Sequence, residues 1–235
     1  MHEMTAPAFE ILYEEGPCLV VCKPPGLPTQ APRGIDNLES RIKALLQERD
    51  GLQGNVYLGI AHRLDRPASG AIVFGKHCRA TRRLAEQFEG RLIKKIYWAG
   101  VEGLVNPPEG TWEDYVRKVP GVAQAEVVGP NHTEARRAVL HYQTLAVRDG
   151  VTWLRIELKT GRTHQIRIQA ASRGHPVVGD AQYGSTIPFG PQYEDDRLRA
   201  IALHARRLEF RHPMTKEMVS VTAPVSADWP QDLGE

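Results

Sequence analysis

One stretch of the chain places a single carboxylate between two guanidinium groups: His62-Arg63-Leu64-Asp65-Arg66-Pro67-Ala68-Ser69-Gly70. Flanking arginines lower a carboxylate's pKa and keep it ionised, which is what a nucleophile or an electrostatic stabiliser requires. An Arg-x-Asp-Arg loop on its own is more often a structural ion-pair cluster. A second stretch, Thr160-Gly161-Arg162-Thr163-His164-Gln165-Ile166-Arg167, sets Arg162 at a glycine-led helix start, from which a guanidinium can be aimed into a cleft. It precedes the glycine-punctuated loop Gly174–Asp180. Taken alone, this second stretch is also a helix capped by Thr163 and followed by an ordinary turn.

Other chemistries find less support. His62, His164, His175, His204 and His212 follow no zinc-ligand spacing, so no metal is expected. Cys18, Cys22 and Cys78 are odd in number, with no second pair to complete a metal site, and read as buried thiols. Neither a dinucleotide fingerprint nor a phosphate-cradling P-loop is present. Trp98, Trp112, Trp153 and Trp229 lack regular spacing and read as core or loop-packing residues rather than base platforms.

The elements that must position these residues can be read from periodicity and punctuation. Ile11–Cys22 reads as two short strands interrupted by Glu15-Gly16-Pro17. Lys23-Pro24-Pro25-Gly26-Leu27-Pro28 must be a stiff loop, because proline fixes φ and removes amide donors. A helix is predicted over 37–49, with Asp36 as its N-cap and Leu38, Ile42, Leu45 and Leu46 on one face. Strand-like Leu58–Ala61 leads into the Asp65 loop, and the apolar run Ala71–Phe74 follows it. Residues 77–89 read as a basic amphipathic helix ending at Gly90. Lys95–Val101 is a predicted strand, and the Gly- and Pro-rich residues 103–133 a hairpin or loop insertion. Strands over 137–147 and 151–158 are joined by the tight-turn dipeptide Asp149-Gly150, a helix follows over 163–172, and the last strands span 202–210 and 217–223. Adjacent runs of strands, rather than strict β–α alternation, argue for an α+β fold whose sheet is mixed and largely antiparallel, with flanking helices.

The composition is that of an ordinary globular protein: 235 residues, 41% hydrophobic and 25% charged. This length allows one large domain or two small lobes. The net charge of +2 says little about partners, but its distribution says more. Lys76, Arg79, Arg82, Arg83, Arg91, Lys94 and Lys95 face only Glu86 and Glu89, and Arg197, Arg199, Arg206, Arg207 and Arg211 form a second basic group. Local positive stripes are compatible with a nucleic-acid footprint, and equally with solvated helix faces. The N-terminus lacks a signal pattern and no apolar run approaches ~18 residues, so a soluble, reducing compartment, the cytoplasm, is expected, with no membrane association.

Together the two chemical motifs and their surroundings resemble the RluA-type family of pseudouridine synthases. The resemblance runs from about Val20 to Pro224. It takes in Lys23-Pro24-x-Gly26, His62–Gly70, Lys95-x-Tyr97, Gly161–Arg167, Gly174–Asp180 with Tyr183-Gly184, and Leu203-His204-Ala205 through His212-Pro213. Two positions depart from the pattern: Ala68 and Leu140 stand where the family usually has threonine. The resemblance implies a curved, mixed, mainly antiparallel sheet with a central active-site cleft. It implies that residues 1–235 form a single catalytic domain, with about 10–225 as its core, and no separate S4-type RNA-binding domain. The activity implied is cofactor-independent isomerisation of a uridine in structured RNA, ribosomal or transfer RNA, by a monomer.

Residue by residue, the resemblance makes Asp65 the catalytic nucleophile or base. Tyr97 becomes the aromatic residue stacking on the flipped-out uracil, Arg162 the partner of the carboxylate, and Ile166 the apolar residue packing against the base. Arg63 and Arg66 become RNA-backbone or base-displacing contacts; the basic stripe, rather than the resemblance, adds Lys95, Arg79, Arg82 and Arg83 as an expected RNA-binding set. Two routes stay open, addition of the carboxylate to C1′ or removal of the C2′ proton to give a glycal, with the glycal route preferred. The rival readings are a glycosyl hydrolase, which commonly needs two flanking carboxylates where these motifs offer one, and a non-enzymatic RNA-binding protein, which would have no need to keep Asp65, Tyr97 and Arg162.

Overall fold

The computed structural model describes residues 9–51 and 53–234. Along them run β1 (Glu10–Glu15), β2 (Cys18–Lys23), α1 (Leu38–Arg49), β3 (Gly59–Ile60), β4 (Ser69–Gly75) and α2 (Cys78–Glu89). Next come β5 (Lys94–Glu102), β6 (Glu109–Lys118), β7 (Ala125–Val128), β8 (Arg136–Arg148) and β9 (Val151–Leu158). Helix α3 (Gln165–Ala171), β10 (Leu203–Arg211) and β11 (Met218–Thr222) complete the order. The protein is α+β with a mixed, mainly antiparallel sheet, as the strand runs implied. Among the described residues no helix is long and apolar enough to cross a membrane.

By its internal contacts the chain divides into two compact units. The first holds the described residues up to Ile93 together with Ala205–Pro224. Its strands run in the order β1-β2-β4-β10, with β3 also paired to β4 and β11 to β10. Strands β2 and β4 are buried on both faces, so their sequences, Cys18–Val21 and Ala71–Phe74, are unbroken apolar runs rather than alternating ones. One of these faces joins Val20 and Val73 to Leu84 of α2 and to Leu208, Phe210 and Val221. Fully burying a side chain of this size contributes about 1.5–3 kcal/mol relative to leaving it exposed.

The second unit holds Lys94–His204 with the described residues from Val225 onward, and its strands run β5-β9-β8-β6-β7. The 103–133 segment is a hairpin, with Tyr115 opposite Val128 and Lys118 opposite Ala125. Asp149 (φ 51) and Gly150 (φ 75) both take the left-handed conformation that a two-residue turn between β8 and β9 demands. All four tryptophans are buried, and Trp229 packs near Trp98, Trp153 and Phe189.

Several local readings need correction. The N-cap of α1 is Asn37 rather than Asp36: Asn37 has the extended backbone of a cap and its side chain accepts from Ser40 N–H (2.9 Å). Asp36 instead pairs with Arg41. Helix α2 ends at Gly90 as read, but its first residue is Cys78 and His77 is its cap, with Nδ1 accepting from Ala80 N–H (3.1 Å). Helix α3 starts at Gln165 rather than Thr163, because His164 itself is left-handed (φ 50). Of the three thiols only Cys18 is buried; Cys22 is intermediate, and Cys78 opens an amphipathic helix on its solvent side and is exposed.

Candidate active site

The Asp65 loop follows β3 and precedes β4, and the proline-rich segment after β2 clamps it on both sides. On one side, buried Thr29 donates from Oγ1 to Leu64 O (3.1 Å) and accepts from Leu64 N–H (3.2 Å). On the other, Gly26 N–H donates to Arg66 O (2.9 Å) and Arg66 Nε donates to Gly26 O (3.2 Å). Ala68 N–H closes the turn onto Asp65 O (3.2 Å). The half-buried Asp65 therefore sits on backbone fixed one residue before it and one after. Gly70, which ends the loop, has φ +112, and a Cβ there would lie 2.4 Å from Ala205 O, so no side chain fits.

Beneath this clamp lies Lys23, fully buried. Its ammonium donates to Pro24 O (2.8 Å), Leu27 O (2.8 Å) and Arg66 O (3.1 Å). Three prolines in six residues leave carbonyls without a regular ladder of amides to pair with, and the lysine supplies the missing donors. Burial pushes its pKa down to about 7, while the negative charge of Asp65 pulls it upward. Lys23 opens the Lys23-Pro24-x-Gly26 motif, and a lysine directly before a proline-rich turn is the sequence signal for this buried donor.

A measurable consequence follows from that depressed pKa. Between about 7 and the ordinary value of 10.5 the unfolded chain holds the Lys23 proton and the folded chain releases it. Folding stability therefore rises with pH across this window. In Lys23→Met this contribution vanishes, and the carbonyls lose their donors, three from the ammonium and two from the neutral amine, which costs about 1 kcal/mol or more for each one left unsatisfied. Urea unfolding of both proteins from pH 7 to 10 should show the variant less stable, and the wild-type advantage growing with pH. An advantage that stays flat would mean that the buried ammonium titrates near its ordinary value.

The proposed RNA-contacting arginines of this unit differ in their surroundings. Arg63, Arg79 and Arg82 are exposed, Arg82 lying 3.6 Å from Glu86. Arg66 is half-buried and tied to Gly26. Arg83 is also half-buried, its guanidinium donating to Pro213 O (2.8 Å) and lying 3.5 Å from Met214 Sδ.

In the second unit Lys95 and Tyr97 lie on β5, where buried Tyr97 pairs in register with Ile156. The turn carrying Arg162 is fastened to β8. Val139 N–H donates to Thr160 Oγ1 (2.8 Å), which donates in turn to Gln165 Oε1 (2.7 Å). Arg162 N–H donates to the same Gln165 oxygen (3.0 Å), and Arg162 Nε donates to Arg137 O (3.0 Å). A Cβ at Gly161 would lie 3.5 Å from Lys95 Nζ, so the fold brings that ammonium beside the Arg162 turn. Ile166 is buried one residue into α3.

Behind the turn, Arg167 and Asp180 form a bidentate pair at 2.6 and 2.8 Å, both residues almost fully buried. Arg167 also lies 4.9 Å from the centre of the Tyr183 ring, whose hydroxyl bonds His164 Nδ1 (2.8 Å) and accepts from Ala125 N–H (2.8 Å). This network holds the start of α3 to β7 and to the 174–184 loop. Gln165, Arg167, Asp180 and Tyr183 are thus supporting residues that sequence reading named within motifs without giving them a task.

The histidines are occupied with backbone or neighbouring rings. His62 Nε2 accepts from Val73 N–H (3.0 Å) and its ring stacks on Phe88. His175 Nδ1 lies 2.9 Å from Glu102 O, His212 accepts from Thr215 N–H (3.0 Å), and His204 packs near Trp229.

The sequence model of the RNA pseudouridylate synthase family matches residues 17–172, from the turn before β2 to the end of α3. The chain belongs to this family. The synthase is 34% identical over 229 residues to the ribosomal large subunit pseudouridine synthase D of Nitrosomonas europaea, covering 97% of this chain and 65% of that protein. It is 32% identical over 242 residues to the tRNA pseudouridine synthase C of Salmonella typhimurium, covering 96% and 88%. Its fold matches that of human RNA pseudouridylate synthase domain containing 4 with a TM-score of 0.74 at 21% identity, over 93% of this chain and 89% of that one. As a pseudouridine synthase it is an isomerase.

Proposed function

We propose that the synthase isomerises a specific uridine of a structured ribosomal or transfer RNA, with Asp65 as the reacting carboxylate and no cofactor. The observation that carries the assignment of Asp65 is its loop: the side chain is half-buried while the backbone on each side is pinned by Thr29, Gly26 and Lys23. A reacting group held in this way loses little orientational freedom when substrate arrives, which favours reaction. The choice of ribosomal or transfer RNA is supported by the two named relatives, one acting on the large ribosomal subunit and one on tRNA.

The chemistry needs few parts. The N1–C1′ bond breaks, the uracil turns, and a C5–C1′ bond forms; C5 loses a proton and N1 gains one. No electrons are gained or lost and no group is donated. Asp65 either adds to C1′ as a nucleophile or removes the C2′ proton as a base. The target base must leave its stack, with Tyr97 as the platform for the uracil and Ile166 as the apolar contact. Arg162 is the guanidinium that serves the carboxylate, and Arg63, Arg66, Lys95, Arg79, Arg82 and Arg83 contact the RNA. The enzyme works as a monomer in the cytoplasm. Transcripts tritiated at uracil C5 test the reaction: label should enter water in step with pseudouridine, with no free uracil. Released uracil would instead mark a hydrolase.

Salt dependence tests the binding surface. Each phosphate neutralised on a single strand contributes a slope of about −0.7 in log K against log salt. Replacing exposed Arg79 or Arg82 by alanine should lower the slope by about that amount. Arg83→Ala should change it less and cost stability instead, because its guanidinium is already bonded to Pro213 O. A slope unchanged by Arg79→Ala and Arg82→Ala would leave α2 a merely solvated face.

A further inference from the structure

Beside the Asp65 loop, within the first unit, lies an open groove of roughly 450 Å³ lined by Gln30, Glu39, Leu58, Ile60, His62 and Arg63 among others. Its volume falls in the range of small-ligand sites, about 300–1,000 Å³. We infer that this groove binds a guanine base of the RNA near the target uridine, read by the carboxylate of Glu39. The inference rests on the RNA-modifying reading above and extends it to what the enzyme selects.

The side-chain inventory decides the ligand. Gln30 and Arg63 are exposed polar groups at the groove, and buried Leu58 gives it an apolar wall. Arg63, which lines the groove, stands two positions before Asp65 in the same loop, so the groove opens beside the proposed reacting group. Glu39, in the first turn of α1, is the odd member, because a carboxylate repels phosphate and would weaken a site built for the RNA backbone. It suits a base edge instead. Lys43 Nζ donates to Glu39 Oε1 at 2.6 Å, which offsets part of its charge. A carboxylate only accepts hydrogen bonds, and its two oxygens match two adjacent donors. Guanine alone presents such a pair on its Watson–Crick edge, N1–H beside the N2 amino group. Uracil, adenine and cytosine each set an acceptor next to their donor, which a carboxylate repels. Gln30 can donate to guanine O6, and the guanidinium plane of Arg63 can stack on the base. His62 contributes shape, since its Nε2 is bonded to the β4 backbone.

Hairpin RNAs carrying one loop uridine with randomised neighbours, incubated with the purified full chain, test this. Pseudouridine should form preferentially where guanine occupies one fixed neighbouring position. Replacing that guanine by inosine, which lacks the N2 amino group, should lower kcat/KM by about ten- to a hundred-fold. For Glu39→Gln the guanine and inosine hairpins should differ little. Circular dichroism melts confirm that the variant folds, and Lys43→Met, which breaks the same ion pair but keeps the carboxylate, should retain the guanine preference. No preference for guanine at any position, or an equal loss by Glu39→Gln on all hairpins, overturns the inference. Should wild type form no pseudouridine in any RNA, the catalytic reading fails by itself. The groove is then judged by binding of the same two hairpins, where equal dissociation constants would refute it.

Discussion

Pseudouridine formation by Asp65→Asn should fall by at least ~10³-fold under single-turnover conditions, within the range by which positioned acids, bases and nucleophiles act. An amide of the same shape can neither add to C1′ nor take a proton from C2′. The fold should survive the exchange, because the bonds that pin this loop run through the backbone of Leu64, Asp65 and Arg66, through Thr29 and through Lys23. Affinity for RNA should hold or rise slightly, since one negative charge leaves a polyanion-binding surface. The variant also carries an internal check on geometry. The charge of Asp65 raises the pKa of Lys23, which burial holds near 7, so removing that charge should lower the Lys23 value further. A titration of the Lys23 Cε resonance would register this shift whether or not any RNA is bound. Turnover near the wild-type rate would remove Asp65 from the reaction, and an unmoved Lys23 resonance would show that the two charges do not sense each other.

Arg162→Ala should lose about 10²- to 10³-fold in the single-turnover rate, the usual consequence of deleting one preorganised electrostatic group. The competing account is that Arg162 merely fastens its turn to β8 through Nε and Arg137 O (3.0 Å). Each such bond is worth about 1 kcal/mol, so on that account the variant would melt earlier and work almost normally. The turn has other anchors, since Thr160, Gln165 and Val139 are bonded to one another without the Arg162 side chain. The catalytic assignment therefore predicts a large loss of rate with a small loss of stability. Arg162→Lys sharpens the contrast, because an ammonium supplies charge but not the planar fork with which a guanidinium grips a carboxylate. It should recover little activity. Rates for both variants beside their melting temperatures separate the accounts: near-normal rates would leave Arg162 a structural residue.

Features that depend on neighbours along the chain are legible from the order of residues alone. Alternation and apolar runs mark the strands, Glu15-Gly16-Pro17 and Asp149-Gly150 mark their turns, and the hairpin within 103–133 lies where glycine and proline cluster. The motif residues Asp65, Tyr97 and Arg162 were legible for the same reason, each being set in a short run of fixed types and spacing. Their tasks in the reaction are those that the family resemblance implies. How the motif residues are held emerges from contacts between distant parts of the chain. The donor for the carbonyls of the proline-rich loop is Lys23, which also reaches Arg66 O, 43 positions along the chain. Thr29 meets Leu64 across 35 positions, and Arg83 leaves the solvated face of α2 to meet Pro213 across 130. His164 adopts a left-handed backbone that no local pattern announced, and its imidazole bonds Tyr183, which in turn reaches β7. The reason is physical. A buried polar group must find a partner, but which partner depends on the loops that the packed strands bring together, and that pairing is written in three-dimensional proximity rather than in sequence spacing.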